Sequence, residues 1–134
     1  MTGLVVLDAS GALEAVMGRT AALNVLDVVE AADEVMAPAL FAAEVGNALW
    51  KHVRAGDFTR SEAHRALDSS LGLIDRMIPS EELVTEALSI ACGFGHPVYD
   101  ALYAVAAQRH GAAVCTMDRR LIELLQELRL PTTE

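Results

Sequence analysis

The sequence predicts an α/β domain: a parallel sheet of short strands with helices on both faces. Two observations carry this. Short runs such as Leu4–Leu7 and Ala112–Thr116 are apolar at nearly every position instead of alternating, the pattern of strands buried on both sides. The segments between such runs carry helix start and stop signals, so strands and helices alternate along the chain. A length of 134 residues suits one domain, spanning 1–134.

The elements follow in order. Leu4-Val5-Val6-Leu7 forms the first strand and ends in Asp8. Ser10 or Asp8 can cap a short helix to about Met17, and Thr20 a second from Ala21 to about Ala32. Val35–Ala37 is the next strand. Pro38 suits the first position of a third helix, which runs to about Arg54 and is ended by Gly56. Thr59-Arg60-Ser61-Glu62 is a capping box for a fourth helix to about Leu71. Leu73–Ile78 is a weak strand. Ser80 followed by Glu81 and Glu82 starts a helix that Gly93 closes, since acids favour the positive end of a helix. Pro97 opens another helix to about His110, closed by Gly111. Ala112–Thr116 is a strand, Arg119–Glu127 a helix and Leu128–Leu130 an edge strand.

Composition excludes several classes. With 53% hydrophobic residues the chain is too apolar for a disordered acidic protein, and 4% aromatics leave Ala, Leu, Val and Ile to build the core. The longest stretch free of Asp, Glu, Lys and Arg, Ala87–Tyr99, is short of the roughly 18–20 residues of a membrane span. The N-terminus lacks the basic start of a signal peptide. Cys92 and Cys115 are too few for a zinc motif or a disulfide scaffold and are expected as buried free thiols in a reducing cytoplasm. Ten Lys and Arg against 19 Asp and Glu give a net charge of −9. That argues against nucleic-acid binding through a broad basic face. It does not exclude a nuclease, whose active site can itself be acidic.

Four acids break the apolar pattern. Asp8 follows the first strand directly, where open α/β sheets bind ligands; its structural alternative is a helix cap. Glu44 is the only charge in Ala39–Trp50. At 100° per residue it shares a face with Leu40, Asn47 and Lys51, on a helix otherwise apolar nearly all round. A carboxylate there costs several kcal/mol unless paired or metal-bound, and the alternative is an ion pair with Lys51 or another cation. Asp100 is the single charge from Pro97 to Ala107, where it could simply favour the first helical turn. Asp118 repeats the situation of Asp8, with the Thr116 hydroxyl two residues before it.

If the four converge, the site holds carboxylates and no histidine. Two carboxylates about 4 Å apart repel by roughly 4 kcal/mol at an effective dielectric near 20, so the cluster needs a cation. Hard oxygen ligands select Mg²⁺ or Mn²⁺, and an ion so held suits phosphodiester hydrolysis.

The residues around these acids carry a resemblance. Val6-Leu7-Asp8-Ala9-Ser10, Glu44-Val45-Gly46-Asn47-Ala48-Leu49, Tyr99-Asp100-Ala101-Leu102-Tyr103 and Thr116-Met117-Asp118-Arg119-Arg120-Leu121 resemble the four signature blocks of PIN-domain ribonucleases. The likeness is in particular to the VapC toxins of bacterial and archaeal toxin–antitoxin pairs. Each block alone is weak; the ordered set spans nearly the whole chain. The resemblance implies a Rossmann-like α/β/α sandwich with a short, mostly parallel five-stranded sheet. It implies a Mg²⁺- or Mn²⁺-dependent endoribonuclease, usually a homodimer, silenced by a VapB-type antitoxin, and leaving 5′-phosphate and 3′-hydroxyl ends. By position, Asp8, Glu44, Asp100 and Asp118 form the catalytic and metal-binding quartet, and Ser10, Asn47 and Thr116 support it.

An acidic protein must still attract RNA. Lys51, His52 and Arg54 cluster at the end of the third helix, Arg60 and Arg65 lie on the fourth, and Arg119 and Arg120 follow Asp118; these can contact phosphates. The four histidines show no metal spacing. Trp50 is expected in the core rather than in a partner groove. A receiver domain would need an acidic neighbour for Asp8 and a late Lys, but the only Lys is Lys51. A haloacid-dehalogenase-like phosphatase would need Asp-x-Asp where Asp8-Ala9-Ser10 stands. The remaining alternatives are a PIN-like binding module and a DNA-directed nuclease.

Overall fold

The structure, a computed structural model, describes residues 3–18 and 22–133. Its elements are β1 (Leu4–Leu7), α1 (Ala9–Val16), α2 (Ala22–Ala31), β2 (Glu34–Pro38), α3 (Leu40–Arg54), α4 (Arg60–Leu71), β3 (Arg76–Ile78), α5 (Val84–Phe94), α6 (Val98–His110), β4 (Ala113–Cys115) and α7 (Arg119–Glu127). The sheet has the order β3-β2-β1-β4, with every neighbour parallel. Register pairs Val5 with both Val35 and Ala113.

Strand residues alternate between two cores, as the two-residue period of a strand demands. Val5, Leu7, Val35, Ala37 and Cys115 pack beneath α1 to α4, with Phe41, Val45 and Leu49 of α3. Val6, Met36 and Val114 face α5, α6 and α7. Helix α6 is buried from Asp100 to Ala107, which its small alanines permit. Among the described residues no helix is long and apolar enough to cross a membrane.

From β1 the chain passes to β2 on one side, and its return through β4 lies on the other. The carboxyl ends of β1 and β4 therefore form a topological switch point, where doubly wound sheets open a crevice.

Several expectations are corrected. The sheet has four strands, not five. Leu128–Leu130 is no edge strand, because those residues close α7: Leu128 N–H donates to the Leu124 carbonyl at 3.0 Å and Leu130 N–H to that of Leu125 at 2.8 Å. Arg129 turns the chain there in the left-handed region, with φ 58°. What remains of a fifth strand is a single parallel bridge between Val114 and Thr132. Pro38 ends β2 instead of opening α3, and the Ala39 N–H goes to the Ile78 carbonyl at 2.8 Å. The weak strand is shortened to Arg76–Ile78, since Leu73 and Ile74 still bond back to Ser70 and Leu71. Ser80–Glu82 is one 3₁₀ turn ahead of α5. Gly95, not Gly93, closes α5, because the stop needs a left-handed residue, here with φ 71°. Cys92 is exposed while Cys115 is buried; Leu83 and Ala87 form the inward face of this segment, and Cys92 lies off it. The cap expected at Thr20 lies outside the described residues.

The capping box at α4 is present in full, with Thr59 and Glu62 bonding each other's backbone N–H at 3.1 and 2.8 Å. Thr59→Ala is expected to lower stability by about 1 kcal/mol, measured as a lower urea midpoint at unchanged slope.

Candidate active site

The four acids line one cleft of about 270 Å³ at the switch point, together with Ser10 and Tyr103. Each reaches it from a different place: Asp8 from the end of β1, Glu44 from α3, Asp100 from the first turn of α6 and Asp118 from the loop after β4.

Asp8 is 4% exposed and caps α1. Its Oδ1 accepts from the Gly11 N–H at 2.9 Å and the Ser10 hydroxyl at 2.8 Å, and its Oδ2 accepts from the Thr116 hydroxyl at 2.5 Å. A methyl group on Gly11 would press on the Cys115 carbonyl oxygen and Leu7 Cδ1, each 3.0 Å from its position, so glycine lets this turn approach β4. Burial pushes the Asp8 carboxyl up to about 6, with a smaller push from Asp118, while the bonds from Thr116, Gly11 and Ser10 pull the other way.

The same hydroxyls brace the opposite wall. Thr116 Oγ1 accepts from the Asp118 N–H, and Ser10 Oγ from the Met117 N–H, both at 2.9 Å. Asp118 in turn caps α7, accepting from the Arg120 N–H at 2.9 Å. Capping and cleft lining are thus not alternatives for Asp8 and Asp118: each does both.

Glu44 is half-buried and takes a 2.6 Å hydrogen bond from the Tyr103 hydroxyl. Among the described residues no ion pair joins it to Lys51. Burial raises its pKa first of all; Tyr103 opposes this, and Asp8, Asp100 and Asp118 add to it. Asp100 is 8% exposed, and its Oδ2 has no hydrogen-bond partner. Burial and then Asp118 raise its pKa, against Arg120 and His96. Tyr103 reads as core from its sequence context. Its place three residues after Asp100, on the same face of α6, was the available signal.

Not every candidate arrives. Ala48 lines the cleft where Asn47 was expected, and Asn47 is exposed. Lys51 and Arg54 face a separate shallow depression. Arg54 lies over the Trp50 ring at 4.8 Å. Trp50 is 51% exposed and lines an open groove between α3 and α4 with Arg60 and His64. It is not core, because Phe41, Val45 and Leu49 already fill the buried face of α3. Arg119 and Arg120 are both exposed, and Arg120 Nε lies 3.6 Å from Asp100 Oδ2.

Among the described residues no three His, Cys, Asp or Glu side chains are already gathered into a metal-ligand shell. Three of the acids instead lean on their own donors, hydroxyls for Asp8, Tyr103 for Glu44 and the α7 N-terminus for Asp118, while Asp100 has the charge of Arg120 3.6 Å away. Like charges arranged in this way relieve part of their repulsion. The donor set still fits a hard divalent cation. It is all oxygen, the pKa values of Asp8, Glu44 and Asp100 are each raised in part by other members, and the orphaned buried Oδ2 of Asp100 lacks a partner that a cation would supply.

The family model for the PIN domain matches residues 5–125. Ribonuclease VapC3 of Pyrobaculum aerophilum is 33% identical over 105 residues, covering 77% of this chain and 80% of that protein. The crystal structure of PAE2754 from Pyrobaculum aerophilum superposes with a TM-score of 0.71 at 30% identity, covering 90% of this chain and 78% of the other. A structure of VapBC2 from Rickettsia felis, bound to a DNA fragment from their promoter, shares the fold with a TM-score of 0.65 at 16% identity, covering 96% and 93%.

Proposed function

Since this chain belongs to the PIN-domain family, we propose that it is a Mg²⁺- or Mn²⁺-dependent endoribonuclease acting at the cleft of Asp8, Glu44, Asp100 and Asp118. The observation that carries this is the meeting of four carboxylates from four separate chain segments in one crevice. The likeness to a protein named a ribonuclease supports RNA as the substrate.

Asp8, Asp100 and Asp118 are assigned as the residues that hold the ion. When bound, Mg²⁺ or Mn²⁺ lowers the pKa of water and neutralises charge on the scissile phosphate. The chain's own groups do the rest. Ser10, Thr116 and the Gly11 N–H lock the Asp8 carboxylate by three donated hydrogen bonds, so it needs no reorganisation during reaction. Tyr103 occupies Glu44 Oε1, leaving Oε2 to orient a water and accept its proton. The raised pKa of Glu44 makes it a stronger proton acceptor than an ordinary glutamate. The water oxygen bonds to phosphorus as the bond to the 3′ oxygen breaks, and that oxygen takes a proton from solvent, giving 5′-phosphate and 3′-hydroxyl ends. Arg119 and Arg120, beside the cleft, are assigned to flanking phosphates, and Lys51 and Arg54 to more distant ones.

By the likeness to the VapC and VapBC proteins, we further assign the chain as the toxin of a VapBC-type pair. It would act in the cytoplasm as a homodimer restrained by a VapB-type antitoxin.

Incubation with total RNA is the direct test. Cleavage with Mn²⁺ that EDTA abolishes is expected; cleavage of single-stranded DNA alone would overturn the RNA assignment. Mn²⁺ is also expected to raise the melting temperature of the parent and not of an Asp8→Asn/Asp100→Asn double variant. Equal shifts in the two proteins would place the ion elsewhere.

A further inference from the structure

Arg120 is anchored on one acid of the cleft and leans on another. Its backbone N–H donates to Asp118 Oδ1 at 2.9 Å, which fixes its Cα beside the crevice. Its Nε lies 3.6 Å from Asp100 Oδ2, too long for a hydrogen bond and close enough for charge attraction. That oxygen is buried and has no hydrogen-bond partner among the described residues. The Arg120 side chain is 64% exposed, so little besides Asp100 holds it in place. Arg119 carries the same charge one position earlier, and among the described residues no ion pair is recorded for it.

We propose that Arg120 is a built-in competitor for the divalent cation: its guanidinium and the ion take turns at Asp100 Oδ2, and this contact sets the metal affinity of the cleft. This rests on the reading of the cleft as a Mg²⁺ or Mn²⁺ site. Arg120→Ala keeps the backbone N–H that Asp118 Oδ1 accepts in capping α7, and the position is exposed, so the variant retains the fold. Losing a partly exposed ion pair that opposes binding translates into a Mn²⁺ dissociation constant roughly two- to fivefold lower.

Isothermal titration of Mn²⁺ into the parent, Arg120→Ala and Arg119→Ala tests this. The expected result is tighter binding for Arg120→Ala and an unchanged constant for Arg119→Ala. Equal tightening in both variants would mean that net charge is responsible, and an unchanged or weaker Arg120→Ala would overturn the proposal outright. A parent that binds no Mn²⁺ would instead sink the metal reading, and this inference with it. In a second measurement, the Arg120 Nε–H resonance of the parent is expected to shift when Mg²⁺ is added; a resonance that stays in place contradicts competition.

Discussion

Asp8→Asn is expected to cut RNA cleavage by roughly a hundred- to a thousandfold, as for the loss of one preorganised charge contact. At the same time it is expected to raise the melting temperature of the EDTA-treated protein at neutral pH. The two effects have one cause. The Asp8 carboxylate is 4% exposed and faces Asp118, and the fold favours its protonated form, with a pKa of about 6. Held ionised, it carries a cost that a cation offsets and that EDTA exposes. Asparagine fits the same volume. Its carbonyl oxygen can keep the bonds from Gly11 and Ser10. Its amide can donate to Thr116 Oγ1, whose own hydrogen then turns toward Ser10 Oγ, 3.3 Å away. Every donor that now serves Asp8 keeps a partner, so the change removes the charge at the cost of one added amide N–H in the cleft. Cleavage assays and thermal melts on the same preparation check both halves. An inactive variant that also melts well below the parent would show that Asp8 is a structural cap first, and the repelling-cluster view would fall.

The cleft was legible in the sequence because it is written as exceptions. One charge inside Ala39–Trp50 and one inside Pro97–Ala107 have no purely apolar explanation, and the acids after β1 and β4 fall where the sheet topology opens a crevice. What stayed illegible depends on neighbours distant in sequence. Tyr103 is 3% exposed, and from its context it is simply core; only the approach of α3 to α6 turns its hydroxyl into a partner for Glu44. Trp50 and Cys92 carry the opposite lesson. Each sits in an apolar stretch, yet the inward face of its helix is already filled by other residues, and no local pattern says how wide that face is. Leu128–Leu130 has strand-like composition, but its N–H groups are claimed by α7 before a sheet can use them. The Arg120–Asp100 contact joins two elements through one flexible side chain, which composition and periodicity do not encode.

In EDTA the protein is expected to lose stability as pH rises from about 4 to about 7, a loss of roughly 3 kcal/mol assigned to Asp8. The sign follows from the direction of its shift. Below the ordinary value of 3.8, Asp8 is protonated in both the folded and the unfolded chain. Between 3.8 and about 6 the folded chain keeps the proton and the unfolded chain gives it up, so the unfolded state binds fewer protons and stability falls with pH. Above that window both are ionised and the slope ends. Glu44 and Asp100, also raised, act in the same direction. Glu62, whose pKa is lowered by its cap, acts in the opposite one, but it is exposed and weighs little. Saturating Mn²⁺ should reverse the trend, since an ion bound to ionised carboxylates stabilises the fold more as protons leave. Urea unfolding across this range, in EDTA and in Mn²⁺, checks both signs, and Asp8→Asn should flatten most of the EDTA slope. A parent that gains stability toward neutral pH in EDTA, with Asp8→Asn following it, would show that the cleft acids do not share a buried, repelling site.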